Sequence, residues 1–344
     1  MNRGFWDTLP TPIIGLAPMD GVTDAAMRHI TKKYGHPAVM FTEFTSAEGV
    51  IRGALRLMKD FAYDESQRPI VAQIFGSDPK AFYQTAIVVA YLGFDGVDIN
   101  MGCPAKSVEE RGAGAALINN PRLAGQIIKA TQKGLKDFAA GISLETAGVH
   151  PDITTYIKGL NRPVENKLLP LSVKTRIGVD TPVTESWIAH LLKFDLANIS
   201  LHGRTLKQLY SGEADWDEIA KAAKLVKGTG TTLLGNGDVK DMADAREKIK
   251  KYDVDGILFG RAAFGNPWVF KGKNTTPKTK LKVAAEHALK HEEFFGPDYF
   301  LPMRKHLAWY SHGFPNASDL RQKLVLSQSA SEVASILNQT VDNL

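Results

Sequence analysis

The stretch "PIVAQIFGSDPKAFYQTAIVVAYLGFDGVDINMG" (residues 69–102) contains the pattern that decides the fold. Two short apolar runs, 69–76 and 96–102, enclose a longer segment that begins with Asp78 and Pro79. An acidic cap followed by proline is typical of a helix start, and short apolar runs are typical of buried parallel strands. The stretch therefore predicts one strand–helix–strand unit.

The same unit recurs along the chain. Six further apolar runs are candidate strands, at 13–19, 38–44, 171–178, 198–205, 232–238 and 256–262. Helical segments lie between most of them, at 23–34, 120–133, 184–193, 215–227 and 239–251. Eight alternating units predict a (β/α)8 TIM barrel of class α/β. A doubly wound sheet is the alternative, and the lack of a G-x-G-x-x-G dinucleotide fingerprint favours the barrel.

Two segments depart from this regular pattern. An insertion at about 140–167 lies between a helix and the next strand, so we expect it at the bottom of the barrel, away from the chemistry. After "GKNTTPK" the chain shows helical segments near 279–295, 301–313, 317–326 and 330–341 with no further strand. We predict a barrel domain over 1–271 and a small C-terminal helical bundle domain over 272–344.

Composition restricts the function classes. The 344 residues carry a net charge of +5, which permits a nucleic-acid partner without requiring one. A single cysteine excludes an internal disulfide and a Cys-cluster metal site. The N-terminus has no signal-peptide pattern and no apolar run could span a bilayer. We expect a cytoplasmic monomer without metal or membrane contact, in which His287 and His291 are surface helix residues.

Barrel active sites lie at the carboxyl ends of the strands. The residues predicted at those ends are Met19, Glu43, Gln73, Asn100, Lys174, His202, Asn236 and Gly260. Lys174, flanked by apolar residues, needs an anionic partner such as a flavin ring, a carboxylate or a Schiff-base carbonyl. A salt bridge to Glu43 across the mouth is the alternative. The amides of Gln73 and Asn100 suit the edge of a uracil-like or isoalloxazine ring, or each simply caps a strand end.

The segments "GNGD" (235–238) and "GRAAFGNPW" (260–268) follow the last two predicted strands. Barrels commonly bind phosphate with these loops and a short extra helix. Gly235, Gly237 and Gly260 allow close backbone approach, and Arg261 adds charge. The alternative is that these glycines only form tight turns.

Cys103 lies in "NMGCP", on a turn just after the fourth predicted strand. A free cysteine is most often a small buried apolar residue. A thiol above a barrel mouth is also placed to act as a nucleophile or as a neutral proton donor, and the sequence leaves these roles open.

The motifs "LAPMDGVTD", "VAQIFGSDP", "GVDINMGCPAKSV", "LSVKTRIG", "YSGEADW", "LLGNGDV" and "DGILFGRAAFGNPWVF" resemble the tRNA-dihydrouridine synthase family, and the C-terminal part looks most similar to its bacterial B-type branch. The resemblance implies an FMN-binding barrel in which NADPH reduces the flavin. Reduced FMN would give hydride to C6 of a uridine in tRNA, and Cys103 would give the proton to C5. The resemblance places these residues around FMN: Pro18, Met19, Asp20, Gln73, Lys174, His202, Asn236, Gly237, Asp238, Gly260 and Arg261.

The resemblance also implies substrate contacts. Asn100 would hold the uracil or flavin edge, and Arg176 and Arg204 would neighbour substrate or flavin. Basic groups interleaved with aromatic ones suit structured RNA, and a helix near the C-terminus carries both kinds. The residues concerned are Arg304, Lys305 and His306, followed by Trp309 and Tyr310. Their alternative is the ordinary packed and solvated faces of a helix.

One departure from the family pattern concerns the loop after the cysteine. Glu109 and Glu110 occupy a stretch that is usually more basic, which weakens the case for phosphate contacts there. Two other functions stay open: an FMN barrel dehydrogenase of a small molecule, of the dihydroorotate type, and a catalytically silent RNA-binding barrel.

Overall fold

The computed structural model describes residues 2–341 and contains a closed barrel of parallel strands. The strands are Ile13–Leu16 (β1), Val39–Ser46 (β2), Ile70–Phe75 (β3), Gly96–Met101 (β4), Leu171–Gly178 (β5), Asn198–Thr205 (β6), Thr232–Asn236 (β7) and Gly256–Phe259 (β8). Each pairs with the next in the chain, and β1 pairs with β8 to close the ring. The prediction of a (β/α)8 barrel is confirmed.

Helices surround the barrel. They are Ala25–Gly35 (α1), Ala47–Ile51 (α2), Pro79–Tyr91 (α3), Lys106–Glu109 (α4), Pro121–Ala139 (α5), Pro151–Gly159 (α6), Thr184–Leu191 (α7), Trp216–Val226 (α8) and Met242–Tyr252 (α9). The carboxylates of Asp78 and Asp215 accept backbone N–H groups at the starts of α3 and α8, which satisfies donors that a helix leaves unpaired.

Three strands end earlier than the sequence suggests. β1 stops at Leu16, β7 at Asn236 and β8 at Phe259, so Met19, Asp238 and Gly260 lie in loops above the barrel. At the end of β7, Gly237 has φ +121°, which an L side chain rarely adopts. The loop residues are therefore free to turn over the barrel mouth.

The barrel interior is polar in its upper half and apolar in its lower half. Alternate strand residues face the axis, and Asp98, Ser172 and Gln73 meet there through hydrogen bonds. Lower down, Trp6 packs with residues such as Val71 in an apolar cluster. This division leaves polar groups where the mouth opens.

The insertion runs along the outer flank of α3. The Tyr91 hydroxyl donates to Ile142 O, and Gln84 Nε2 donates to Ala147 O and Gly148 O. The insertion then forms α6 and returns to the bottom of the barrel. It lies beside the barrel wall and reaches higher than the bottom position that we predicted, because a Cβ on Gly53, in the loop after β2, would lie 2.5 Å from His150 Nδ1.

Four helices follow the barrel: Pro277–Phe295 (α10), Met303–Tyr310 (α11), Ala317–Leu324 (α12) and Ala330–Val341 (α13). Within the described residues no strand follows β8, as the sequence predicts. The helices share one apolar core with Ile30 of α1 and Trp268 of the barrel part. The C-terminal helices are therefore packed against the barrel. The domain boundary at 271 stays a prediction.

Candidate active site at the barrel mouth

A chain of hydrogen-bonded side chains leads from the barrel interior to the cysteine loop. Asp98 accepts from Ser172 Oγ at 2.5 Å and from Gln73 Nε2 at 2.7 Å. Gln73 Oε1 accepts from Asn100 Nδ2 at 2.9 Å. Asn100 Oδ1 then accepts the backbone N–H of Cys103 at 2.8 Å. Neighbouring strands thus fix the turn that carries the thiol.

The thiol of Cys103 lies in a small apolar cluster with Val108 and Ala113, and the residue is 7% exposed. Burial raises the pKa of this thiol above its ordinary range. The Cys103 carbonyl accepts from Ala115 N at 3.2 Å, which closes the loop behind it. At neutral pH the site therefore presents a protonated thiol.

Lys174 points across the mouth toward β7. Its Nζ donates to Asn236 Oδ1 at 3.2 Å, and Asn236 Nδ2 donates to Leu258 O. Burial, followed by the neighbouring Arg176 guanidinium, lowers the pKa of Lys174 to about 8. The alternative of a salt bridge to Glu43 is wrong, because among the described residues no ion pair joins the two.

Glu43 belongs to a separate group of carboxylates near the β1–α1 loop. Burial, and then the neighbouring Asp24, raises the pKa of Glu43 to about 8, so it is mostly neutral at pH 7. Burial also raises the pKa of Asp20 and takes that of Asp60 to about 6. This rim of the mouth therefore carries less negative charge than its acidic residues suggest.

The loops after β1 and β8 face each other. The backbone N–H of Met19 donates to Thr23 Oγ1, with 2.9 Å between the two atoms, which turns the chain after Pro18. A Cβ added to Gly260 would lie 3.7 Å from Met19 Sδ, in ordinary contact. The glycine thus leaves an open position beside the methionine.

The loop after β7 approaches β6 closely. A Cβ on Gly237 would lie 2.6 Å from Ala214 Cβ and 3.0 Å from His202 Cδ2. No side chain fits at this position, so the backbone of residue 237 comes within reach of any group above it. Burial, and then Lys174, lowers the pKa of His202 well below its ordinary value, which keeps the imidazole neutral.

Asp238 joins two arginines. Its carboxylate accepts from Arg204 Nη2 at 2.5 Å and from Arg261 Nη2 at 2.7 Å. Against the cost of burial, the hydrogen bond from Arg204 holds the pKa of Asp238 below its ordinary value. The Arg261 side chain is 58% exposed, so this guanidinium can face an anion above the glycine turns. Together these features fit a phosphate group.

Arg204 is buried, with partners for all three guanidinium nitrogens. Besides Asp238, it donates to Ser211 O and Gly212 O, and its Nη1 lies 3.4 Å from His202 Nε2. The structure therefore does not support the expectation of direct substrate contact by Arg204. Its role is to hold the loop after β6.

Arg176 also supports loops. Its Nε donates to Gly102 O at 2.7 Å, and its Nη1 donates to Thr205 O at 2.9 Å and to Leu209 O at 3.3 Å. Among the described residues its Nη2 has no hydrogen-bond partner. The predicted substrate contact now rests on that atom alone.

The α11 residues that we predicted to contact RNA have different surroundings in the structure. Arg304 donates to Ser327 O and Leu326 O and so ties α11 to the loop after α12. The Lys305 ammonium lies 3.2 Å from the position of a Cβ on Gly21, which brings it to the mouth. His306 is 1% exposed, so its interpretation as an RNA contact is wrong. A helix of this length buries one face against its neighbours.

The two aromatic residues that follow also face the protein. Tyr310 is 1% exposed and belongs to the core of the C-terminal helices. The Trp309 ring stacks on Phe264 of the barrel part, with 4.0 Å between ring centroids. Both are therefore packing residues of the contact between barrel and helices.

His287 and His291 are buried, so their prediction as surface residues is wrong. With His306 they surround Asp24, and His291 Nδ1 lies 3.5 Å from Asp24 Oδ2. Both ring nitrogens of His306 lack hydrogen-bond partners among the described residues. The described residues contain no group of His, Cys, Asp and Glu placed to hold a metal ion.

Sequence reasoning missed Asp98, which supports the whole Gln73–Asn100–Cys103 chain. Burial raises its pKa to about 6. A signal was present, because an acidic residue in the middle of the apolar run "GVDINM" is unusual in a strand covered on both faces.

Comparison with known proteins gives a consistent result. The family model described as dihydrouridine synthase (Dus) matches residues 15–140 and 151–344. A probable tRNA-dihydrouridine synthase 2 of Bacillus subtilis (strain 168) is 34% identical, over 98% of this chain and 97% of that protein. A probable tRNA-dihydrouridine synthase of Staphylococcus aureus (strain COL) is 32% identical, over 98% and 96%.

Among solved structures, one described as DHODH in complex with ferulenol from Eimeria tenella has a TM-score of 0.50 and 12% identity. It covers 81% of this chain and 84% of that one, which is a likeness of fold. Separately, across residues 2–341 none of the helices combines the length and apolar character needed to cross a bilayer.

Proposed function

Because the chain belongs to the dihydrouridine synthase family, we propose that it reduces uridines of tRNA to 5,6-dihydrouridine with FMN and NADPH. Relatives named as probable tRNA-dihydrouridine synthases match nearly its whole length, which supports tRNA as the substrate class. The observation that carries the chemistry is the buried Cys103 side chain, whose turn is fixed at the mouth by the hydrogen bond from Cys103 N to Asn100 Oδ1.

The residues at the mouth fit FMN. A glycine at 237 that admits no Cβ, an exposed Arg261 and a buried ammonium offer partners for a phosphate and for an electron-rich ring edge. When bound, reduced FMN supplies hydride to C6 of uracil. The residues that would hold FMN are Pro18, Met19, Asp20, Gln73, Lys174, His202, Asn236, Gly237, Asp238, Gly260 and Arg261.

Cys103 supplies the proton. Addition across the C5–C6 double bond needs one hydride and one proton, and the neutral thiol gives its proton to C5. The thiolate that remains is reprotonated from solvent. A raised thiol pKa suits this role, because a nucleophilic cysteine would need a lowered one.

Asn100 acts as a positioning residue. Its Oδ1 accepts from Gly102 N and Cys103 N, and its Nδ2 donates to Gln73. One N–H of the amide is left for the uracil or flavin edge. Most of its hydrogen-bonding capacity therefore holds the proton donor in place.

The C-terminal helices contribute to RNA binding through Lys305, which lies at the rim of the mouth. A uridine must leave its stack to reach the mouth, which costs a few kcal/mol. Cationic groups at the rim offset this free-energy cost by contacting phosphates of the tRNA. Of the three α11 residues that we predicted to contact RNA, this proposal keeps only Lys305.

The test uses the purified full-length protein with an unmodified tRNA transcript and NADPH. We expect yellow protein that releases FMN on denaturation, and dihydrouridine detected by mass spectrometry of digested tRNA. Cys103→Ala should keep the flavin and lose dihydrouridine, and Cys103→Ser should substitute poorly because a hydroxyl is a much weaker acid.

Colourless protein that cannot be reconstituted with FMN would contradict the flavin assignment. Full turnover by Cys103→Ala would exclude its role as the acid. Reduction of a free pyrimidine in preference to tRNA would favour the small-molecule dehydrogenase.

A further inference from the structure

A buried carboxylate and a buried imidazole meet where α10 packs against the start of α1. Asp24 ends the loop that follows β1, and its Oδ1 accepts the backbone N–H of Met27 at 2.8 Å, which caps α1. Its other oxygen, Oδ2, lies 3.5 Å from Nδ1 of His291 on α10. The two side chains are 10% and 0% exposed, so water does not compensate the carboxylate. A carboxylate in this position needs a counter-charge.

The contacts of His291 determine its protonation state. Its Nε2 lies 2.8 Å from the backbone carbonyl oxygen of Tyr299, and a carbonyl can only accept, so this nitrogen carries a proton. If the ring were neutral, the lone pair of Nδ1 would face the carboxylate of Asp24, which is repulsive. A ring with protons on both nitrogens directs an N–H toward the carboxylate instead. The geometry therefore requires an imidazolium here.

The other nearby groups do not supply the counter-charge. Burial lowers the pKa of His287 well below its ordinary value and that of His306 to about 4, so both rings are neutral at pH 7. The Arg28 guanidinium donates to a side-chain amide and to two backbone carbonyls. Against the cost of burial, the contact with His291 holds the pKa of Asp24 well below its ordinary value. The charge that faces Asp24 is therefore on His291.

This ion pair joins the C-terminal helices to the loop that follows β1. The loop contains Pro18, Met19 and Asp20, which we propose as flavin residues, and it ends at Asp24. Within it, the backbone N–H groups of residues 22 and 23 both donate to Met19 O, so the turn is compact. A contact that fixes Asp24 therefore fixes the end of a short, closed turn.

Tyr299 holds the other side of His291. The Lys59 ammonium, in the segment between β2 and β3, donates to the Tyr299 hydroxyl at 2.8 Å and lies 4.0 Å from the centre of its ring. The carbonyl that accepts from His291 thus belongs to a residue that is itself bound to the barrel. The imidazole is held between two fixed acceptors and cannot turn away from the carboxylate.

We infer that His291 is a buried imidazolium whose ion pair with Asp24 positions the flavin loop, residues 17–23, so that the C-terminal helices help to form the flavin site. The charge state follows from the contacts of the ring, whereas the effect on the flavin loop rests on the proposed function. Because His291 is fully buried, it acts as a positioning residue.

The first measurement is the protonation state of His291 in the full-length protein at pH 7. Nitrogen-15 NMR of protein labelled at histidine distinguishes a ring with two N–H groups from a neutral ring, and the spectrum of His291→Gln identifies the signal by its absence. We expect two protons on the wild-type ring and one in Asp24→Asn. Asparagine caps a helix about as well as aspartate, so this variant loses the charge and keeps the cap.

The second measurement is Kd for FMN in Asp24→Asn, His291→Gln and the control His312→Gln, which changes an exposed histidine. The amide nitrogen of glutamine can replace Nε2 toward Tyr299 O without the charge. We expect both single variants to raise Kd roughly 3- to 30-fold, the range in which residues act indirectly on a site. His312→Gln should match the wild type.

Thermal unfolding separates the ion pair from ordinary packing. His291→Gln leaves a buried carboxylate without its counter-charge and should lower Tm by about 5 °C or more. The double variant Asp24→Asn/His291→Gln has neither charge, so it should unfold at a higher temperature than His291→Gln alone. A side chain that only fills space would give additive losses.

A neutral His291 ring in the wild type, or a double variant less stable than His291→Gln, would overturn the ion pair. A doubly protonated ring together with an FMN Kd within twofold of the wild type in both single variants would overturn the positioning of the flavin loop. Wild-type protein that binds no FMN would remove the proposed function and the flavin part of this inference, while the NMR spectrum would still decide the ion pair.

Discussion

The side-chain oxygen of Asn100 accepts the backbone N–H of Cys103, with 2.8 Å between Oδ1 and N. The end of β4 therefore determines where the thiol lies. Because Asn100 Oδ1 accepts from the cysteine turn, this oxygen cannot also accept a hydrogen bond from the substrate. A residue that sequence reasoning assigned to a ring edge is in the structure chiefly a support for its neighbour.

Asn100→Ala should lower kcat for dihydrouridine formation by about 100-fold, because a displacement of about 1 Å at a reacting group has an effect of that size. The flavin content should stay near one per protein, since none of the residues that would hold FMN is itself replaced. Asn100→Asp, which keeps an acceptor for Cys103 N, should retain more activity than the alanine variant. Equal kcat for wild type and Asn100→Ala would show that the turn holds the thiol without this bond.

Lys174→Met should weaken FMN binding roughly tenfold or more, because a hydrogen bond to a charged group contributes about 1.5–3 kcal/mol. The wild-type protein should also release flavin as pH rises through about 8, where the ammonium loses its proton. Flavin fluorescence on dilution measures both effects. In Lys174→Met this release near pH 8 should be absent, and an unchanged pH dependence would assign it to another group.

Glu43→Gln should remove a loss of stability at alkaline pH. Burial raises the carboxyl pKa from 4.5 to about 8, so the folded protein binds more protons than the unfolded chain between those values. The free energy of unfolding therefore falls as pH rises through this window. Thermal unfolding at pH 5 and pH 9 should show a smaller decrease in Tm for Glu43→Gln than for wild type. Parallel curves would place the carboxylate in a more solvated environment.

His306→Leu should make the protein more resistant to acid. Burial, opposed by Asp24 and assisted by Lys305, lowers the pKa of His306 from 6.5 to about 4. The unfolded chain thus binds more protons than the folded one in this window, and stability is lost as pH falls from 6.5 to 4. Because neither ring nitrogen has a hydrogen-bond partner within residues 2–341, the leucine variant should be at least as stable at pH 7.

The control for this effect is His312→Gln, which changes an exposed histidine in the same part of the chain. It should lose Tm between pH 7.5 and pH 5 to the same extent as the wild type. If His306→Leu also behaves like the wild type, the acid sensitivity belongs to His287, whose pKa burial lowers well below its ordinary value and which faces the same Asp24 carboxylate.

The barrel could be predicted because each strand carries its own apolar run. Lys174 was predicted at the end of its strand, but β5 continues to Gly178, so the residue lies inside the strand. The roles of Arg176 and Arg204 could not be predicted, because their partners are carbonyls of loops whose course depends on residues such as Leu209 in the left-handed region. A sequence shows that an arginine is present but not which backbone it will meet.

His287 and His291 were wrongly predicted to be surface residues for a different reason. A helix with polar residues on several faces gives no signal of which face is covered, and the covering element of α10 lies far away in the chain. His287 and His291 are buried because α10 packs against α1, where Asp24 caps the first turn. Long-range contacts of this kind decide burial.

Chimeras that combine residues 1–271 of one relative with the residues after 271 of another would have mismatched side chains where the two parts pack together. Ile30 and Trp268, which stay with the barrel, fill the apolar core of the C-terminal helices, and Phe264 stacks on Trp309. A working hybrid would need α1 and residues 261–271 from the same parent as the helices.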